Sequence, residues 1–552
     1  MADLLKDGTK HLTGVEETVL KNVAAVKQLS RIMRTSLGPN GMHKLLINHH
    51  GKLFVTSDSA TIARELEVEH PAAKMIVKAA QRQEEEMGDA TNLVVVLSGE
   101  LMAQAESLIR MGLHPSLVVQ GYSTALTEAL RLLNDEGAIK TEQIVPTDEA
   151  RVSSALKAVV AAKQYGYADI VAPLVAKACI SVSQTRENKE DGSYTFYFNQ
   201  DNVRVSKILG AGVEDSKIIP GFLIPRNPEG AVTSASGAKV AVFQGSVDLA
   251  RPETKGTVLV KDAQQLVEYS ATEEKAMETA IKALYDAGAR IVVAGNAISD
   301  LALHYIDRLG MMAVRIPSKF DLRRLCECVG ASPILTLPAD AKALNAKKFG
   351  FCDSAKVVEI GSTKCTVFES AKSKITTIVV RASTQNTLDD IERAIDDGVC
   401  VYRQICRDGR FAAGAGATET ELALRLHAFA STLPGLDQYA VNKFAEAFEV
   451  VPRTLAENAG LMHNQIVNDL YAAHKEGKAA AGVDIVNEGI CDDAFAAGVW
   501  DHLMVKAQAI EYAVNAVVTV LRVDQIIMQK PAGGPKVMNR SGAMDADEPD
   551  FV

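Results

Sequence analysis

Two long stretches with helical periodicity lie on either side of a strand-rich centre, and this pattern most limits what the chain can become. From about Val15 to Cys179 apolar residues recur at helical spacing among strong helix formers, apart from Lys44 to Val55, which reads as a hairpin. Pro71 suits the first turn of a helix that turns Ala72, Met75, Ile76 and Ala79 inward and ends near Gly88. Between about Val203 and Ser383 the runs AKVAVF, GTVLV, RIVVAG, VRI, KVVEI and ITTIVVR alternate with helical segments such as Glu273 to Ala287, the pattern of an α/β domain. After Asn386 the helical period returns, clearest in Leu503, Ala507, Ile510, Val514, Val517 and Leu521. Two helical ends around such a centre imply that the ends pack together and carry the middle as an insertion.

The 552 residues, 47% of them hydrophobic, exceed what one core organises, so two to four domains are expected. A net charge of -10 gives no overall attraction to nucleic acid or anionic lipid, and neither is expected as a partner. No stretch is expected to reach the roughly 18 apolar residues of a membrane span; even Ala513 to Met528 is interrupted by Asn515, Thr519, Arg522 and Asp524. The start, MADLLKDGTK, has neither the apolar core of a signal peptide nor the arginine bias of a transit peptide, which makes a cytoplasmic location the expectation. The eight cysteines form no C-x-x-C pair and the histidines no H-x-x-x-H pair, so reduced thiols are expected and a zinc hydrolase is not. The tail after Pro531, rich in Gly, Pro and acids, is expected to be disordered.

Three glycine-containing segments could approach an anion. Ser36-Leu37-Gly38-Pro39-Asn40-Gly41 ends a helical stretch and reads either as a plain turn or as a phosphate-cradling loop. Gly88-Asp89-Ala90-Thr91 opens a helix, with Asp89 either facing a metal or capping the helix. Gly414-Ala415-Gly416-Ala417-Thr418 also leads into a helix, where Thr418 and Glu421 have the spacing of a capping box that needs no ligand. The acids Asp389, Asp390, Glu392, Asp396 and Asp397 read as a solvated helix face or as the source of one catalytic carboxylate. No G-x-x-x-x-G-K-[S/T] occurs, which excludes a P-loop, and RIVVAGNAISD lacks the full dinucleotide fingerprint.

Taken in order, SLGPNGMHKLL, VTSDSATIARELEVEHPAAKM, GDATNLVVVLSGELM, AKQYG, DDIERAIDDGV, GAGATETELAL and LRVDQIIMQKPAGGPK resemble the group II chaperonins, the family of the eukaryotic cytosolic chaperonin CCT or TRiC. The resemblance runs from about residue 14 to 536. It implies a multidomain chaperonin fold. A mainly α equatorial domain would be formed by residues 1–145 and 405–552, with its tail after about 536 disordered. An α/β intermediate domain would take 146–213 and 371–404, and an inserted α/β apical domain 214–370, with a helical lid protrusion at about 245–277.

The same resemblance implies ATP and Mg²⁺ as ligands. Ser36, Leu37, Gly38 and Pro39 would line the phosphates, Asp89 would hold the metal, and Ala90, Thr91, Asn92 and Leu93 would meet the same phosphates. Gly414, Ala415 and Gly416 would lie against ribose and base, with Asp501 on the sugar hydroxyls. Asp397 would orient the attacking water with Asp58 assisting, and Lys163, beside Ala162, would sense the γ-phosphate. The implied partners are paralogous subunits in a double ring of two times eight and unfolded clients, of which actin and tubulin are the family examples. The implied activity is ATP hydrolysis that closes the lid over a folding client. Some positions depart from the pattern: Ser59, Ala90 and Ala415 replace glycines, Asn92 a threonine and Ala162 a small hydroxyl residue, while Asp501 stands where many relatives have Glu. These departures admit a subunit that holds nucleotide but hydrolyses it negligibly, in a structural or client-binding role. Composition alone also admits a free-standing α/β enzyme.

Overall fold

A computed structural model describes residues 10–12, 15–48, 51–135, 138–187, 194–248, 263–335, 337, 346–371 and 373–528. The chain begins with β1 (Lys10–Leu12), α1 (Val15–Arg34), the hairpin β2 (Lys44–Ile47) and β3 (Leu53–Thr56), α2 (Ser59–Glu65), α3 (Pro71–Glu86), α4 (Thr91–Arg110), α5 (Pro115–Asn134) and β4 (Thr141–Gln143). It continues through α6 (Glu149–Gln164), α7 (Ala168–Val182), β5 (Gln184–Glu187), β6 (Tyr194–Tyr197) and β7 (Val203–Leu209). The centre comprises β8 (Lys217–Ile224), β9 (Ser234–Phe243), α8 (Ala263–Asp286), β10 (Ala289–Ala294), α9 (Asp300–Arg308), β11 (Met312–Arg315), α10 (Lys319–Val329), β12 (Gly350–Ile360), β13 (Thr363–Glu369) and β14 (Thr376–Ala382). Then follow α11 (Gln385–Ile405), β15 (Arg410–Ala413), α12 (Ala417–Ala430), α13 (Asp437–Ala447), α14 (Val450–Asn458), α15 (His463–Lys475), β16 (Gly482–Asp484), β17 (Gly489–Cys491), β18 (Trp500–His502), α16 (Leu503–Leu521) and β19 (Ile526–Met528).

The largest apolar interior draws on both ends of the chain. Val19, Val23 and Val26 of α1 and Val94 to Leu97 of α4 share it with Phe444 of α13 and Ile510, Val514 and Val517 of α16. β1 pairs antiparallel with β19, which brings the two ends together in a two-stranded sheet. A second core joins α6, α7 and α11 through Val160, Val175, Ile391 and Ile395, and Phe411 of β15 belongs to it.

The central runs form one eight-stranded mixed sheet in the order β11-β10-β9-β12-β13-β8-β14-β7. Both faces of its β9–β11 part are covered, which is why RIVVA reads as an unbroken apolar run: Ile291 and Val293 point to the side of α10, Val292 and Ala294 to that of α8 and α9. GTVLV, residues 249–262 of the lid protrusion expected at about 245–277, and the tail after 528 lie outside the described residues. The described cysteines are free thiols.

Three stretches, Thr91–Arg110, Glu149–Val182 and Leu503–Leu521, are long and apolar enough to cross a bilayer. This corrects the expectation that none would be. Much of each lies buried in the fold, so the apolar residues serve these two cores.

Candidate functional site

Asp58 is the N-cap of α2. Its carboxylate accepts from Thr61 N at 3.1 Å and Thr61 Oγ1 at 2.6 Å, and lies 3.0 Å from Lys163 Nζ. Burial alone would raise its pKa, but the Lys163 charge and these hydrogen bonds prevail and hold it at about 2. Lys163, in the last turn of α6, also reaches Asp397 Oδ2 at 2.5 Å. Burial opposes the Lys163 charge, yet the two carboxylates raise its pKa above that of an ordinary lysine. For Asp397 the balance is reversed: burial lifts its pKa well above the ordinary value despite Lys163, and Asp89 and Asp58 push in the same direction.

Asp89 sits where α3 gives way to α4. Gly88 there has a left-handed φ of 82°, and a Cβ on it would overlap the Cys400 side chain of α11. Only glycine therefore lets this turn press against the helix that carries Asp397. Asp89 Oδ1 accepts from Ala90 N at 2.6 Å, and the carboxylate has no ion-pair partner among the described residues. Burial raises its pKa, and the nearby Asp501 and Asp58 add to the rise. Lys163 pairs with Asp58 and Asp397 but not with Asp89, so three neighbouring carboxyl groups face one cation, an arrangement that favours a further cation. No group of three potential ligand side chains is gathered closely enough to hold a metal among the described residues. A Mg²⁺ ion bound through one carboxylate, with phosphate oxygens and water as its other ligands, suits this donor set.

The N-terminus of α4 is open. Its N-cap is Ala90, which makes no side-chain cap, so the N–H groups of Thr91, Asn92 and Leu93 have no intrahelical acceptor. Asp89 is therefore not the N-cap. Ala90 adopts φ 64° and Ala415 φ 56°, both left-handed. The negative φ that would make alanine harmless at a helix start does not occur there, and each residue costs about 1 kcal/mol. Thr91 Oγ1 lies 2.7 Å from Ser59 Oγ; Asn92 Nδ2 reaches Met33 O at 3.4 Å while its Oδ1 is buried without a partner; Leu93 is buried in the core.

The first loop is tied from behind. Ser36 Oγ donates to Met42 O at 2.8 Å, and Ser36 N and Leu37 N donate to Met33 O and Arg34 O. Asn458 Nδ2 holds Leu37 O at 2.8 Å, and a Cβ on Gly38 would strike Leu455. Ser36 and Leu37 thus have these groups engaged within the fold, and Pro39 has no N–H to offer.

Gly414 continues β15, and a Cβ on it would lie 3.2 Å from Asp501 Oδ1 on the neighbouring β18. Gly416 is the N-cap of α12 and has no side-chain cap. The capping box expected here is not formed: Thr418 Oγ1 donates to Ala413 O, and Glu421 pairs with His474 and Arg425.

The acidic stretch of α11 divides. Asp389 and Glu392 bind Lys207, Asp390 binds Arg393 and accepts from Thr56, Asp396 is exposed, and only Asp397 turns to Lys163. The end of α11 docks on α3 where Arg403 and Gln404 donate to Glu86 O. A cleft of about 640 Å³ between α3, β7 and α11 opens on Gly88 and Asp397 but not on the other two loops. Ala162 is exposed, and its methyl offers no polar atom to these groups. Sequence reasoning missed Thr61, Ser59 as a partner of Thr91, Asn458 and Lys506. Of these, only Thr61 carried a local signal, three residues after a capping aspartate.

A helical interior built from both chain ends, a second α/β core and a mixed sheet inserted between them make up the multidomain chaperonin fold. The chain belongs to the TCP-1/cpn60 chaperonin family, whose model matches residues 29–531. It is 48% identical to T-complex protein 1 subunit theta of Dictyostelium discoideum over 550 residues, 99% of each chain. It is 47% identical to the human protein of that name over 554 residues, 100% of this chain and 98% of the other, and 48% identical to the Bos taurus one over 99% and 97%.

Proposed function

We propose that this chain is one subunit of a hetero-oligomeric cytosolic chaperonin ring, in which ATP bound with Mg²⁺ drives closure over an unfolded client. In this reading 1–145 with 405–552 form the equatorial domain, 146–213 with 371–404 the intermediate, and 214–370 the apical. The observation that carries it is Lys163 bridging Asp58 and Asp397 beside the metal-competent Asp89 and the uncapped start of α4. Asp89 would hold Mg²⁺, which supplies charge neutralisation at the phosphates. The free N–H groups of Thr91, Asn92 and Leu93 receive phosphate oxygens at the positive end of the α4 dipole. Asp397, with its raised pKa, accepts the proton of a water aligned on the γ-phosphate, while Lys163 and Asp58 fix its position. Gly414 to Gly416 and Asp501 receive the sugar and base.

A second reading, nucleotide held but barely hydrolysed, is favoured by one contact. The Ala90 N–H is already taken by Asp89 Oδ1 at 2.6 Å and so is withdrawn from the phosphates. Native mass measurement tests the ring assembly: a species no larger than a single 59.1 kDa chain would defeat it. Density at this subunit after one turnover separates the two readings, with ADP supporting hydrolysis and retained ATP supporting the second.

A further inference from the structure

Lys506 of α16 is only 4% exposed and lies between two acids. Its Nζ is 2.9 Å from Glu419 Oε1, 3.1 Å from Glu419 Oε2 and 2.7 Å from Asp501 Oδ2. Glu419, in the first turn of α12, is 2% exposed. The Asp501 side chain is 40% exposed, so the network begins in the core and ends at the surface of the site. The three ammonium hydrogens match the three acceptor oxygens, and the trio keeps one net negative charge. Asp501 is the member of the trio at the surface of the site, and its Oδ1 faces the Gly414 backbone.

Burying a lysine with an acid contributes little to stability by itself, since desolvation offsets most of the attraction. Its specific effect here is geometric. Clamping Oδ2 from behind removes the rotational freedom of the Asp501 side chain and leaves Oδ1 as a fixed, charged acceptor. We infer that Lys506, held by Glu419, is a positioning residue that aims Asp501 Oδ1 at a ribose hydroxyl and so makes the site select nucleotides with an intact ribose. This deepens the nucleotide reading above and rests on it.

The test uses the assembled particle containing this subunit as wild type, K506R, K506M or the double variant E419Q/K506M. Occupancy at this subunit is read from high-resolution density over a concentration series of ATP or 2′,3′-dideoxy-ATP. Wild type and K506R should prefer ATP by about tenfold or more, the scale of one hydrogen bond to a charged group. K506M and the double variant should lose that preference while binding the dideoxy nucleotide as wild type does. If K506M does not assemble, the double variant, which leaves no unpaired charge on Glu419, decides. Retention of the wild-type preference in the double variant would overturn the inference and leave Lys506 as a core ion pair. A wild-type subunit that bound neither nucleotide would instead bring down the nucleotide reading, and this inference with it.

Discussion

Lys163 Nζ lies 2.5 Å from Asp397 Oδ2, which joins the last turn of α6 to the middle of α11. The same Lys163 Nζ meets Asp58 Oδ1 at 3.0 Å, so α11 is tied through α6 to the N-cap of α2. In the function proposed above, the Lys163–Asp397 pair is the point at which a change at the phosphates would be felt by α11, and it would separate holding a nucleotide from cleaving it.

Asp397→Ala should leave ATP affinity nearly unchanged and slow cleavage at this subunit by a factor on the order of 10² to 10⁴, the scale for losing a positioned base. Bulk turnover is a poor assay if other subunits continue to hydrolyse. The check is nucleotide identity in density after a single turnover: ATP should persist here, and ADP formed at the wild-type rate would leave Asp397 a structural partner of Lys163.

Asp89→Ala should abolish Mg²⁺-dependent nucleotide occupancy here, because the neighbouring Asp58 and Asp397 are already held by Lys163 and Asp501 by Lys506. Occupancy measured with Mg²⁺ and with chelator should become equal and low. Persistent Mg²⁺-dependent density in the variant would assign Asp89 only to the turn at Ala90.

Ala90→Gly removes a Cβ from a left-handed position at φ 64°. The relief of about 1 kcal/mol is partly offset by the greater freedom of glycine in the unfolded chain. A net gain of up to about 1 kcal/mol is expected in denaturant unfolding. A destabilised variant would show that the Ala90 methyl, which packs at the edge of the large core, outweighs the strain.

Asp58 has a folded pKa of about 2 against an ordinary value of 3.8, so the folded state favours its carboxylate. The resulting stability is complete above the ordinary value and disappears as pH falls through about 2. It is on the order of 2 kcal/mol. Asp58→Asn should remove this contribution, so the stability difference between wild type and variant should shrink between about pH 4 and 2. A difference that stays constant over that window would rule out the Lys163 pair as its source.

The chain's sequence by itself determined the helical ends, the strand-rich insertion and the positions of the three glycine loops. Leu503 to Leu521 and RIVVA report their burial directly, because apolar periodicity reflects how one element faces its neighbours. The ordered blocks also carried the family. What only the tertiary structure decided are the pairings between distant elements: Lys163 with Asp58 and Asp397, Lys506 with Glu419 and Asp501, and Gly88 against Cys400. It likewise decided that Ala90 and Ala415 are left-handed and that Thr418 bonds to Ala413 rather than forming a capping box. The physical reason is that hydrogen-bonded local structure and burial leave a periodic trace along the chain, whereas the partner of a buried charge depends on how whole helices pack. A lysine in the last turn of a helix reads as solvent-facing until another helix places a carboxylate beside it.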